Sequence, residues 1–243
     1  MKILGIDSSG LVASAAVLET EPGPEGRLLA QCSTDYKKTH SQTLLPMIDR
    51  ICRETETEAS GLGAVAVSSG PGSFTGLRIG SATAKAIALA ANIPLIEVPT
   101  LQGLAFNLWG SSRAVCPMMD AKRDQVYSGL YGFEGGKLII YRDQEALALG
   151  EMLEFVNSFG KEVIFLGDGA SAYAGMIASG TQVPFMFAPA HLNRQSAASV
   201  AVLGASMYAE GRYINGEDHS PVYLRKSQAE REGAKKFDLW NTV

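Results

Sequence analysis

The sequence predicts an α/β fold of two tandem lobes, the second a degraded copy of the first. Three observations predict it. The chain opens with three short apolar runs separated by turn residues, which together make a meander. Helical and strand-like patterns then alternate. After Ser111 the same order begins again, repeated in topology rather than in residues.

The elements follow in order. Lys2 to Asp7 is a first strand, Ser8-Ser9-Gly10 its turn, and Leu11 to Leu18 the returning strand. Glu21 to Gly26 holds two prolines and two glycines and reads as a surface loop, followed by a third strand from Arg27 to Ser33. Leu44, Leu45, Ile48, Ile51 and Cys52 recur at helical spacing, with Ser41 as cap and Pro46 expected in the first turn, where its missing N–H is harmless. Leu62 to Ser68 is a buried strand feeding the loop Gly70 to Gly76 and a helix that runs to Ala91. Pro94 to Val98 is a fifth strand, and a helix starts at Thr100. In the second half, Ala114 to Asp120 and Val126 to Phe133 form a hairpin around Ala121 to Asp124. Leu138 to Tyr141 is a strand, Glu151 to Phe159 a helix, Glu162 to Leu166 a strand, Ser171 to Ile177 a helix, and Gln195 to Glu210 the last helix. A meander followed by alternating helices and strands, twice over, is the pattern of actin-like ATPases and sugar kinases, whose lobes are ribonuclease-H-like. The expected division is 1–110 and 111–243.

Composition narrows the function. Lys plus Arg number 21 against 25 Asp plus Glu, so there is no basic stripe of the kind that grips nucleic acid unaided. The run from Arg225 to Lys236 is interrupted by Glu230 and Glu232 and reads as a solvated tail. Cys32, Cys52 and Cys116 are odd in number and widely spaced, which fits a reduced, cytoplasmic setting. No apolar run approaches membrane-spanning length.

Several motifs invite chemistry. Asp7, Ser8, Ser9 and Gly10 close the first strand, where actin-like kinases aim backbone N–H groups and a carboxylate at phosphate and metal. A plain hairpin turn is the commoner use of such residues. The matching turn, Asp120-Ala121-Lys122-Arg123, carries side chains that obstruct a phosphate, so nucleotide cleavage is not expected and any cofactor contact at Asp7 to Gly10 is residual. Gly167-Asp168-Gly169-Ala170-Ser171-Ala172 mimics a dinucleotide fingerprint, but no acidic residue follows about 20 positions on, and a tight strand-to-helix turn is the safer reading. His40, His191 and His219 stand apart, without metal-ligand spacing. No metal or cofactor is expected.

Gly70-Pro71-Gly72-Ser73-Phe74-Thr75-Gly76-Leu77-Arg78-Ile79-Gly80 lacks the Gly-Lys-Ser/Thr end of a P-loop, and Ser73 or Thr75 serves better as a helix cap. From Thr75 to Ala91 the only charges are Arg78 and Lys85, on one narrow face. Gly76, Gly80, Thr83 and Ala84 fall roughly opposite, a stripe that lets another backbone approach closely. Packing on its own sheet would explain the stripe. A protein partner is favoured over internal packing alone, because the first helix adds the apolar pairs Leu44-Leu45 and Met47-Ile48.

MKILGIDSSG, His40-Ser41-Gln42, SSGPGSFTGLRIG, DAKRDQVY and PVYLRKS closely resemble the TsaB family, paralogues of the glycoprotease-like TsaD proteins. The resemblance covers nearly the whole chain. TsaD-type proteins carry an H-x-x-x-H metal motif in the corresponding helix region, and here Leu44 follows His40, so metal chemistry does not carry over. The resemblance implies a non-catalytic scaffold that pairs with a TsaD-like catalytic subunit and a TsaE-like ATPase in threonylcarbamoyl transfer to tRNA adenosine N6. It also implies contact with tRNA only through the complex, and a homodimer when alone. The two N-terminal helices would supply the interface: Leu44, Leu45, Met47, Ile48, Phe74, Thr75, Gly76, Leu77, Arg78, Gly80, Thr83 and Ala84. The competing expectation is a metallopeptidase or an ATP-dependent transferase acting by itself.

Overall fold

In the computed structural model, described over residues 1–21, 26–36 and 39–225, the meander and the alternation both form. Most of the loop Glu21 to Gly26 and nearly all of the run Arg225 to Lys236 lie outside the described residues. The first half contains β1 (Lys2–Asp7), β2 (Ala13–Glu19), β3 (Arg27–Thr34), α1 (His40–Glu54), β4 (Leu62–Gly70), α2 (Phe74–Ala91), β5 (Leu95–Pro99) and α3 (Thr100–Ala105). The second contains β6 (Ala114–Asp120), β7 (Gln125–Glu134), β8 (Lys137–Ala148), α4 (Leu149–Phe159), β9 (Val163–Leu166), α5 (Asp168–Ala172), α6 (Ala174–Gly180), β10 (Phe185–Phe187) and α7 (Ala197–Ala209).

The first sheet runs β3-β2-β1-β4-β5 and the second β8-β7-β6-β9-β10. In each the three meander strands pair antiparallel and the last two join in parallel. Order and polarity thus repeat, and the fold is the actin-like tandem of ribonuclease-H-like lobes. The second copy is reduced: its last strand has three residues, and its helix after β9 breaks at Tyr173 into α5 and α6.

β1 and β4 are buried on both faces, which is why they read as unbroken apolar runs. Leu4, Ile6, Val65 and Val67 meet Leu44, Ile48, Ala84 and Ala88 of α1 and α2 on one face. Ile3, Ala64, Ala66, Ile96 and Val98 meet Val200, Ala201, Leu203 and Met207 of α7 on the other. The last helix of the chain therefore completes the core of the first sheet. The second sheet has its own core, with Cys116, Val126, Leu130 and Phe165 packed against Met152 and Val156 of α4. Burial there pushes the Cys116 thiol up to about 12, so it stays a protonated packing residue.

Two expectations about α1 are corrected. Thr39, not Ser41, is the N-cap, and its side chain makes no capping bond; the first turn is tied by Thr43 Oγ1 donating to Thr39 O at 3.2 Å. Pro46 lies in the second turn. It is tolerated there because it faces solvent, where water can reach the carbonyl that its missing N–H leaves unpaired.

Candidate functional site

A cleft of about 670 Å³ opens between the lobes. The first lobe lines it with Ser9 and Gly10 after β1, His40 and Ser41 at the start of α1, and Gly72, Ser73 and Gly76 at the start of α2. The second lobe lines it with Asp120, Ala121 and Lys122 after β6 and with Asp168 of α5.

The turn after β1 is stitched to α2. Asp7 is buried, and its carboxylate accepts from Ser9 N at 2.9 Å, Ser9 Oγ at 2.7 Å and Ser68 Oγ at 2.6 Å. Ser8 Oγ donates to Gly76 O at 2.8 Å, and Ser73 N donates to Ser9 O at 2.7 Å. Of the four residues expected to meet a nucleotide, only Ser9 and Gly10 border the cleft. Asp7 and Ser8 are turned inward: the Asp7 carboxylate is buried among three internal donors, and Ser8 Oγ is bound to the Gly76 carbonyl. Burial raises the Asp7 pKa, partly offset by the Ser68 and Ser9 hydrogen bonds. His40 Nε2 lies 2.8 Å from Gly10 O; a carbonyl only accepts, so the proton sits on Nε2.

The turn after β6 is open. Lys122 N and Tyr173 Oη donate to Asp120 Oδ1 at 2.7 and 3.0 Å, and Lys122 Nζ pairs with the other carboxylate oxygen. Partial burial pushes the Asp120 pKa up, but these donors outweigh it and hold the carboxyl below its usual value. Lys122, Arg123 and Asp124 all adopt left-handed backbone angles, with φ of 65°, 59° and 54°. Burial raises the Asp168 pKa. Asp35, Asp120, Asp168 and Lys122 line the cleft, and Arg194 pairs with Asp35 at 3.4 Å and acts on Asp168 as an opposite charge. Among the described residues no group of three or more His, Cys, Asp or Glu side chains could hold a metal ion, and no helix is long and apolar enough to cross a membrane. Gly167 caps α5, so the dinucleotide-like run is a strand-to-helix turn.

The expected interface residues divide. Ser73 caps α2, its Oγ accepting from Gly76 N at 3.3 Å. Gly76, Leu77, Gly80 and Ala84 face inward, as do Leu44 and Ile48 of α1. A Cβ on Gly76 would stand 2.1 Å from Ser8 O, and one on Gly80 2.4 Å from Ser8 Oγ. Of the small-residue stripe, Gly76 and Gly80 seat the chain's own turn, Ala84 lies in the core and Thr83 is half-buried. Leu45, Thr75 and Arg78 are exposed, while Met47, Phe74 and Thr83 are half-buried. Arg78 stacks over Phe74, 3.9 Å from the ring centroid, and Phe74 packs on Tyr223.

Sequence reasoning missed the outward stripe. Ala82, Ala86 and Ala90 are exposed at i, i+4, i+8 spacing, with Leu89 beside them and Leu45 on α1. The alanine spacing carries the signal, but glycine and alanine are both small, so the residues of α2 alone do not say which side is filled.

Two sheets of one order and polarity, an interlobe cleft and two helices laid over the first sheet define a protein of the actin-like α/β class. The family model described as "TsaD: tRNA N6-adenosine threonylcarbamoyltransferase" matches residues 28–233. The chain is 33% identical to the tRNA threonylcarbamoyladenosine biosynthesis protein TsaB of Bacillus subtilis over 95% of this chain and 96% of that one. It is 29% identical to the protein of the same name from Escherichia coli, over 94% and 96%. A crystal structure of a Pseudomonas aeruginosa protein described as similar to peptidase YeaZ superposes with a TM-score of 0.76 at 26% identity, covering 92% of this chain and 99% of that one. The chain belongs to the TsaB family of tRNA threonylcarbamoyladenosine biosynthesis proteins.

Proposed function

We propose that the chain is a non-catalytic subunit that binds a TsaD-like catalytic protein, together with a TsaE-like ATPase, in threonylcarbamoyl transfer to tRNA adenosine N6. The observation that carries this reading is the outward face of α1 and α2, where Leu45, Ala82, Ala86, Leu89 and Ala90 stand in solvent. An alanine-lined helix face permits close backbone approach and offers apolar area that a partner helix would bury. Against a metallopeptidase or ATP-dependent transferase acting alone stands the turn after β1, whose Asp7 carboxylate is buried and bound by three internal donors. In this reading the lobe 1–110 carries the partner face and 111–243 forms the second lobe and tail. The tRNA is reached through the complex, in the cytoplasm, and the same face joins two copies when the partner is missing.

The test is light-scattering chromatography of the chain alone and with the TsaD-like protein of the same organism. A dimer that converts to a one-to-one complex is expected, and Ala86→Arg is expected to prevent both assemblies while circular dichroism is unchanged. A variant that still pairs as tightly as the parent would sink the reading.

A further inference from the structure

The C-terminal ends of two helices meet at one groove of about 520 Å³, whose wall offers no cationic side chain among the described residues. Leu89 and Asn92 line it from the last turn and cap of α2, Tyr208 from the last turn of α7, and Tyr213 and Glu217 from the segment that follows. Neither α2 nor α7 has a basic residue in its last turn; their end carbonyls accept from backbone N–H groups, Asn92 and Ile93 on α2 and Gly211 and Arg212 on α7, and among the described residues no side-chain cation offsets the helix dipoles there. Glu217 is the only charged side chain of the wall, and it forms no ion pair among the described residues. Tyr208 and Tyr213 stack with centroids 5.0 Å apart and planes 25° from parallel, and Tyr213 is 49% exposed.

The neighbouring cations are committed elsewhere. Lys85 Nζ donates to the backbone carbonyls of Glu217 and His219, at 3.0 and 3.1 Å. Arg212 Nη1 lies 3.3 Å from Glu210 Oε2. His219 is buried between Glu97 Oε1, at 2.6 Å, and Ser81 Oγ, at 2.8 Å.

We propose that this groove receives an arginine guanidinium from the protein that packs on the adjoining face of α2. The inference rests on the partner reading above, because Leu89 belongs to both the groove and that face. A flat guanidinium can lie against a tyrosine ring while its forked N–H groups reach a carboxylate and helix-end carbonyls. A lysine ammonium matches the charge but not the plane, and an anion would be repelled by Glu217.

Calorimetry of the chain with the TsaD-like protein at two salt concentrations decides the matter. Glu217→Gln and Tyr213→Ala are each expected to weaken pairing roughly tenfold, and Glu217→Gln to flatten the salt dependence. Glu217→Lys should weaken it further, with the melting temperature of the isolated variant unchanged. If Ala86→Arg abolishes pairing while Glu217→Gln, Glu217→Lys and Tyr213→Ala leave affinity and salt slope as in the parent, the groove is empty in the complex and the proposal is overturned. If Ala86→Arg itself pairs normally, the partner reading fails first and takes this one with it.

Discussion

The turn after β1 and the turn after β6 hold the same place in their two sheets, yet one is sealed and the other open. In the first, Asp7 is buried among Ser9 and Ser68, and Ser8 is pressed against Gly76 and Gly80 of the helix behind it. In the second, Asp120 takes its bonds from Lys122 and Tyr173 at the cleft rim, and three residues in left-handed geometry follow it. Both lobes keep a glycine where the helix meets the turn, since a Cβ on Gly169 would stand 2.9 Å from the Met119 carbonyl carbon. Fold position alone therefore does not fix what an aspartate does; the donors that surround it do. The first turn holds α2 in place. The second sets an ion pair at the cleft rim.

Substitutions can break that contrast, beginning with the largest effect. Gly80→Arg would drive a side chain into Ser8 and is expected to cost about 3 kcal/mol or more, read as loss of cooperative unfolding or a large fall in Tm. A folded, stable Gly80→Arg chain would show that the turn is not clamped. Asp7→Ala strands the Ser9 and Ser68 donors and is expected to cost about 2–4 kcal/mol by urea denaturation. Asp120→Ala, at the rim, should stay within about 1 kcal/mol, and equal losses at the two positions would erase the distinction.

The two carboxyls also respond to pH with opposite sign. Burial raises the Asp7 pKa in the folded chain, so its contribution is full below the usual carboxylate range and declines as pH rises through the raised value. The Asp120 pKa is lowered, so its contribution is present above the usual range and is lost as pH falls through the lowered value. Relative to the parent, Asp7→Asn should therefore gain stability from about pH 4 to pH 7, and a difference that stays flat across the range would contradict the assignment. Smallest of all, Lys122→Ala removes a pair whose lysine side chain is 82% exposed, and should change stability by no more than about 0.5 kcal/mol at moderate salt.

Much of the architecture was legible because the strands are either apolar throughout or bounded by turn residues, and because Ser73 has the chemistry of a cap. Other parts were hidden for physical reasons. β8 reaches Ala148 rather than stopping near Tyr141, since Arg142 to Glu145 are polar but still register against Leu130 to Ser128, and Ala146 to Ala148 against Tyr127 to Gln125. β10 is only Phe-Met-Phe, too short for any period to show. The face of α2 could not be assigned from its own residues: glycine and alanine both read as small, and only Ser8, far away in the chain, decides which side is filled. The groove between Tyr208, Tyr213 and α2 was invisible for the same reason, because it is made by segments more than a hundred residues apart.

The placement of α7 bears on how the protein is made. Residues 197–209 cover a face of the sheet whose first strand is residues 2–7, so that face stays bare until the ribosome has released residues about 200 positions further on. The first lobe cannot be finished in advance and handed on. A nascent chain halted near residue 150 should be protease-sensitive and prone to chaperone capture, and the release of α7 should protect both halves together.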